Sequence, residues 1–327
     1  MASSFWAGRK VLVTGATGLL GSWLTKKLVD EKAEVTILQR DHPQFSELFL
    51  SGAAAKVNVA RGQLESYYDI ERVLNEYEIQ FCFHLGAQAI VTTANRSPMS
   101  TFKSNVEGTW NVLEAARHHS LIQGVIVASS DKAYGSHDKL PYSEDAALQA
   151  DHPYDVSKSC ADLIAQSYHR TYGLPVGITR CGNFYGGGDL NFSRIVPGTI
   201  RSILKGEDVV IRSDGTFIRD YFYIKDAVKA YLLLAENLHR KDVVGQAFNF
   251  GTEKPNTVLE VVDQVIQTSG KKQVKKKILN QASNEIKAQY LSCAKARKFL
   301  NWKHDYDLAK GLKETYAWYQ RYFSTEA

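Results

Sequence analysis

Short apolar runs alternate with amphipathic stretches through the first half of the chain. Residues 10–14 (Lys-Val-Leu-Val-Thr) predict a strand, and Leu20, Trp23, Leu24 and Leu28 then follow at helical spacing. The rhythm repeats. Residues 34–38 and 56–59 predict strands, residues 67–77 an amphipathic helix, and residues 80–84 (Gln-Phe-Cys-Phe-His) a strand apolar enough to be covered on both faces. Residues 98–119 predict one long helix carrying Phe102, Val106, Trp110, Val112, Leu113 and Ala116. Strand 124–128, helix 154–172 and strand 175–180 continue the alternation, which predicts an α/β fold with a doubly wound parallel sheet of Rossmann type. Near the end, Leu308, Leu312, Tyr316 and Trp318 predict a packing helix.

Candidate chemistry sits where strands end. The first strand runs into Gly15-Ala-Thr-Gly18-Leu-Leu-Gly21, a strand–turn–helix junction that brings bare N–H groups and the positive helix end to a phosphate. Its spacing differs from Gly-x-Gly-x-x-Gly, and plain α/β proteins also use glycine turns. The second strand ends in Gln39-Arg40-Asp41, where an acid would hold an adenosine ribose. Arg40 there favours a 2′-phosphate, leaning toward NADP, while Asp41 keeps NAD open. Leu85-Gly86-Ala87-Gln88 are small residues where backbone must pass close to a flat ligand, and His84 before them reads as a satisfied core histidine.

The fifth strand runs into Ser129-Ser130-Asp131-Lys132-Ala133-Tyr134-Gly135, a polar cluster at the end of a strand where open sheets bind ligands. In His152-Pro153-Tyr154-Asp155-Val156-Ser157-Lys158, proline suits a first helical position and the four-residue step stacks Tyr154 and Lys158 on one face. An ammonium close to a phenol draws its pKa of about 10 toward neutrality, letting the tyrosine take a proton. The same spacing also occurs in ordinary amphipathic helices.

Composition narrows the classes. The 327 residues, 44% of them hydrophobic, are enough for a substantial core, and the net charge of +5 is modest. Basic residues are dispersed apart from residues 271–277, which read as a solvated face, so no nucleic-acid partner is expected. Cys82, Cys160, Cys181 and Cys293 form no Cys-x-x-Cys pair, and His118 and His119 are adjacent rather than a turn apart, so no metal is expected. The N-terminal stretch has no signal pattern and no apolar run reaches bilayer length; a cytoplasmic, membrane-free protein is expected.

Taken together, Gly15, Gly18 and Gly21, the Leu85-Gly86-Ala87 turn, Asn105, Ser130 and the Tyr154–Lys158 pair resemble the extended short-chain dehydrogenase/reductase superfamily over essentially the whole chain. Arg180-Cys-Gly-Asn183-x-Tyr185-Gly186, Gly215 to Tyr221 and Phe248-Asn-Phe-Gly251 agree with it. Within it, Ser130-Asp131-Lys132 and the stretch from Tyr154 through Pro197 are similar to CDP-glucose 4,6-dehydratases; the dTDP-glucose relatives carry Asp-Glu at the last two positions.

The resemblance implies an NAD(P)-binding Rossmann domain over residues 1–182, with segments near 215–251 packing back on it. Residues 183–327 would form a smaller C-terminal substrate-binding α/β domain. It implies cofactor contacts from Gly15, Thr17, Gly18, Leu19, Leu20, Gly21, Arg40, Gln63, Leu64, Leu85, Ala87, Asn105, Tyr154, Lys158 and Cys181. Catalysis would fall to Ser130, Asp131, Lys132, Tyr154 and Lys158. A nucleotide-diphosphate sugar would be held by Gln88, Asn183, Arg194, Arg219 and Tyr290. The implied reaction is 4,6-dehydration through an internal redox cycle, with Asp131 as a protonated acid. Lys132, next to it at the strand end, reads as the carbon 5 base or its helper, the alternative being a charged lysine that binds a phosphate or the enolate oxygen. A homodimer built on the helices at 98–119 and 154–172 is implied as well. A 4-epimerase would use the same Tyr154 chemistry but suits neutral residues at 131 and 132. A non-catalytic dinucleotide sensor has no need of the Tyr154–Lys158 relay.

Overall fold

The computed structural model describes residues 4–43, 45–271, 273–281 and 286–325; residues 1–3 of the N-terminal stretch and Lys272 of the basic run lie outside the described residues. The main sheet has seven parallel strands: β1 (Lys10–Thr14), β2 (Glu34–Gln39), β3 (Asn58–Arg61), β4 (Phe81–His84), β5 (Gly124–Ala128), β6 (Val176–Cys181) and β10 (Ala247–Phe250). Their order, β10-β6-β5-β4-β1-β2-β3, reverses between β1 and β4. Such a reversal opens a crevice at the carboxyl ends of the strands.

Alternation along each strand feeds two cores. Val11 and Val13 pack with Leu20, Leu24 and Leu28, while Leu12 and Val125 face the other way against Ile70, Val73, Val112 and Leu113. Both faces are covered, which is why these strands read as nearly continuous apolar runs.

Two expected elements are displaced. Residues 53–56 form a 3-10 turn entered through Gly52 at φ 74°, and only Asn58–Arg61 pairs with β2. β3 is an edge strand with Val59 turned outward, so its apolar residues misplace the prediction by two positions. The helix expected over 98–119 is Pro98–Phe102, a π-helical turn Lys103–Glu107, and Gly108–His118. Such bulges re-aim side chains at functional sites.

A second assembly lies over the cleft. Its centre is β9 (Ile218–Tyr223), flanked by β7 (Asn183–Tyr185), β11 (Pro255–Thr257) and β13 (Ala288–Gln289), while β8 (Val209–Ile211) pairs with β12 (Lys276–Ile278). The C-terminal helix Leu308–Thr325 buries Leu312, Tyr316 and Tyr319, and its Trp318 Nε1 donates to Glu47 Oε2 at 2.8 Å. No helix among the described residues is long and apolar enough to cross a membrane.

Candidate active site

One cleft of about 1750 Å³ runs along the carboxyl ends of the strands, from the glycine turn to β8 and β9. The three glycines of the turn serve differently. At Gly15, φ is 70° and a Cβ would lie 2.7 Å from the Gly86 nitrogen; at Gly21 it would lie 2.1 Å from the Gly15 carbonyl oxygen. Both are needed for close backbone packing. At Gly18 a Cβ would meet nothing nearer than the Gly15 oxygen at 3.3 Å, and the residue faces the cleft. It precedes the helix Leu19–Asp30 with no side-chain cap, so the first N–H groups of that helix are left for a ligand. This cradle fits a pyrophosphate, and a side chain at position 18 would fill it.

Thr17, Leu19, Leu20, Leu64, Leu85, Ala87 and Cys181 line the same cleft. Arg40 and Gln63 stand exposed at its rim, and the Arg40 guanidinium is paired with Asp41 at 2.7 Å. Thr14 pins the loop after β4, its Oγ1 accepting the N–H groups of Leu85 (3.1 Å) and Gly86 (3.0 Å). The Thr14 hydroxyl proton is then directed to His84 Nδ1 at 3.0 Å, and Thr109, which donates to the Asn105 carbonyl, accepts from His84 Nε2 at 3.0 Å. His84 is thus a satisfied core residue, held neutral because burial, then the Lys158 charge, pushes its pKa down to about 3.

Asn105 does not line the cleft. The π-helical turn buries it, where its Oδ1 accepts the Gln88 N–H (2.6 Å) and its Nδ2 donates to the Gln88 carbonyl (3.1 Å) and Ser157 Oγ (2.9 Å). It clamps the Gln88 loop to the Tyr154 helix, and Gln88 does line the cleft. Tyr290 is likewise outside the lining; its carbonyl accepts the Tyr142 N–H at 3.0 Å.

Ser130, Asp131, Lys132, Tyr154 and Lys158 all line the cleft. Pro153 is the first residue of the helix Pro153–Tyr172, as its fixed φ favours, and Gly173 ends that helix in left-handed geometry. Asp131 opens a short 3-10 turn, Asp131–Tyr134, capped by Ser130 Oγ. Ser130 Oγ also donates to Asp131 Oδ1 at 3.1 Å, and Oδ2 is buried with no partner. Burial raises the Asp131 pKa; Lys132, Ser130 and Arg219 only partly offset it. This carboxyl keeps its proton to higher pH than a solvated aspartate.

The Tyr154–Lys158 pair differs from the expectation. Lys158 Nζ donates to the Ala128 carbonyl at 2.7 Å, and burial lowers its pKa to about 8. Burial, reinforced by the Asp131 charge, pushes the Tyr154 phenol up to about 12 against the pull of Arg194 and Ser130. Desolvation outweighs the helical neighbour, so the resting phenol is protonated. Lys132 is half-buried, and its Nζ donates to Gln289 Oε1 at 3.4 Å.

Lys158 should leave a signature in stability. Unfolded, it keeps its proton to 10.5; folded, only to about 8. Between those values the unfolded state binds more protons, so stability rises with pH, and below about 8 the whole cost of the buried charge is present. Lys158→Met should therefore stabilise the ligand-free protein near neutral pH by on the order of 2 kcal/mol, after allowing for the lost bond to Ala128, and flatten that rise. Urea unfolding across this range checks it; an unchanged slope would refute it.

Asn183, Arg194 and Arg219 line the same cleft. Arg219 and Tyr221 reach it from alternate positions of β9. Arg219 Nη1 donates to the Ile218 carbonyl at 2.8 Å. Arg194 precedes the helix Ile195–Lys205, its Nη1 3.1 and 3.0 Å from the two Asp189 oxygens. The sequence reading missed Gln289, fully buried on β13, whose Nε2 donates to the Asp131 carbonyl at 3.0 Å and whose Oε1 holds Lys132. A two-residue strand far along the chain gives no periodic signal to find it by.

Residues 12–315 match the family described as GDP-mannose 4,6 dehydratase. A CDP-glucose 4,6-dehydratase of Salmonella typhimurium is 28% identical, over 99% of this chain and 94% of its own. Among solved structures, a UDP-glucose 4-epimerase of Thermotoga maritima with UDP-glucose superposes with a TM-score of 0.86 at 26% identity, covering 96% of this chain and 99% of the other. A dTDP-glucose 4,6-dehydratase of Bacillus anthracis in complex with NAD gives 0.84 at 25% identity, covering 96% and 97%.

Proposed function

The chain belongs to the GDP-mannose 4,6 dehydratase family, in the extended short-chain dehydrogenase/reductase superfamily, and on that premise we propose that it is a nucleotide-sugar 4,6-dehydratase acting on a CDP-glucose-like substrate. The observation that carries this reading is Asp131. Its carboxyl is buried, raised in pKa and without a partner on Oδ2, and it opens on the same cleft as Tyr154. Departure of a 6-hydroxyl needs such an acid; a 4-epimerase has no use for one.

A nicotinamide dinucleotide cradled at Gly15, Gly18 and Gly21 supplies hydride acceptance from carbon 4 and its return to carbon 6, so none is consumed. Tyr154 takes the proton of the 4-hydroxyl, with Arg194 and Ser130 favouring the phenolate and Lys158 one turn further along the same helix. The resulting 4-keto group acidifies carbon 5. Lys132 removes that proton, Asp131 protonates the departing 6-hydroxyl as water leaves, and Lys132 returns a proton to carbon 5 as carbon 6 regains its hydride. Arg219, Arg194 and Asn183 hold the substrate diphosphate, the arginines because a planar fork matches phosphate oxygens.

A panel of nucleotide-hexoses tests the reading. A 4-keto-6-deoxy product, lighter by one water, is expected; a 4-epimer of unchanged mass would install the second reading, which the likeness to the Thermotoga maritima epimerase favours. In deuterated water, Lys132→Ala should still oxidise carbon 4 yet stop deuterium entry at carbon 5. Undiminished exchange assigns that proton transfer elsewhere.

Arg40 carries a lean toward NADP over NAD, although a 2′-phosphate must displace Asp41 from its fork. Arg40→Ala should weaken NADP by about tenfold, or ~1.4 kcal/mol, and leave NAD unaffected; equal effects on the two end this role. Large apolar side chains stand out on the two long helical stretches, Met99 (70% exposed), Trp110 (43%), Leu163 (54%) and Tyr172 (56%), which supports a homodimer. Sedimentation at micromolar concentration should give twice the chain mass, and a monomer there would contradict it.

A further inference from the structure

Behind the catalytic turn lies a buried charged cluster that the chemistry above does not use. Asp162 and Arg180 are 0% and 3% exposed. Asp162 follows Lys158 by four residues and Tyr154 by eight on the helix Pro153–Tyr172, so all three share one face. Arg180, on β6, forks onto it: Nε donates to Oδ2 at 2.8 Å and Nη2 to Oδ1 at 2.9 Å. Its Nη1 donates to the Tyr134 hydroxyl at 2.9 Å. Tyr134 is the last residue of the turn that begins with Asp131 and Lys132, and its hydroxyl donates onward to Asn249 Oδ1 of β10 at 2.7 Å. Ser159 Oγ adds a bond to the Ala133 carbonyl at 2.9 Å.

A desolvated ion pair gives little net stability over apolar residues of similar volume, so stability alone is a weak reason for this arrangement. A planar bidentate fork does something an apolar contact cannot. It sets both the position along the helix axis and the rotation about it; a slip of one residue would move Asp162 by about 1.5 Å and about 100° and break both bonds.

We propose that Asp162 and Arg180 are positioning residues that, through Tyr134, keep the Tyr154–Lys158 face of the helix in register with the Asp131–Lys132 turn. The role requires only that Tyr154 reacts, as it does in both reactions considered above, and is independent of the choice between them.

The double variant Asp162→Leu/Arg180→Met removes the charges while roughly keeping volume, and should melt no lower than the wild type. Its kcat should fall by about 10- to 100-fold with KM for the nucleotide sugar within about twofold, because misplacement by an ångström is enough for such losses. The NMR ring resonance of Tyr154 in isotope-labelled, substrate-free protein, identified by its absence in Tyr154→Phe, should also move. Wild-type kcat and an unmoved resonance would overturn the proposal and leave the pair a packing feature. If the double variant does not fold, Arg180→Lys keeps the charge and loses the fork. That variant should show the same fall in kcat and the same displaced resonance, and wild-type values overturn the proposal equally. The resonance is read without substrate, so it decides the matter even where no nucleotide sugar is turned over.

Discussion

Tyr154→Phe should lower kcat by about 10²- to 10⁴-fold, the range lost when a positioned general base is removed, while KM and retained cofactor stay near wild-type values. Only the hydroxyl is deleted, and the ring still fills its place in the cleft. The pH profile gives a second readout. Burial holds the phenol near 12, so the proton-accepting form is scarce at neutral pH and wild-type activity should climb as pH rises. That climbing limb should vanish in the phenylalanine variant. A variant with the wild-type rate and the same limb would remove Tyr154 from the chemistry.

Gly18→Trp should abolish cofactor retention in a protein that still folds. The backbone at Gly18 has φ −76°, open to any side chain, and the only atom near a new Cβ is the Gly15 oxygen at 3.3 Å. The indole would therefore grow into the cradle rather than into the core, costing the dinucleotide at least about 100-fold in affinity, or roughly 2.7 kcal/mol. Gly21→Ala makes the contrast, since its Cβ would press to 2.1 Å from the Gly15 oxygen and disturb the turn itself. Copurification of Gly18→Trp with full cofactor, or a melting point far below that of the ligand-free wild type, would contradict the assignment of this turn.

Local pattern was enough for much of this protein. Apolar runs of a few residues, each followed by a helical repeat, specify a covered parallel sheet because period and polarity leave few other ways to bury such strands. The glycine turn and Pro153 at a helix start are legible for the same reason: each answers to backbone sterics within a few residues. Ser130 to Lys132 and Tyr154 with Lys158 could be placed near one another once the strand ends were known.

What the sequence could not supply depends on groups remote in the chain. The π-helical turn that sets Asn105 onto Gln88 and Ser157 has no periodic mark that separates it from a plain helix. β3 begins two residues late because pairing with β2, not apolar content, decides where an edge strand starts. Four-residue spacing puts Lys158 beside Tyr154, yet the ammonium bonds the Ala128 carbonyl and the phenol rises rather than falls. That outcome is set by how much water the surrounding elements exclude, a quantity no short stretch of sequence contains. Gln289 reaches Asp131 and Lys132 only because β13 pairs with β9 across the fold. Sequence therefore determined the sheet, the glycine turn and the residue types of the candidate site, through short-range sterics and periodicity; tertiary packing alone decided their protonation and their partners, because desolvation and long-range pairing are properties of the assembled fold.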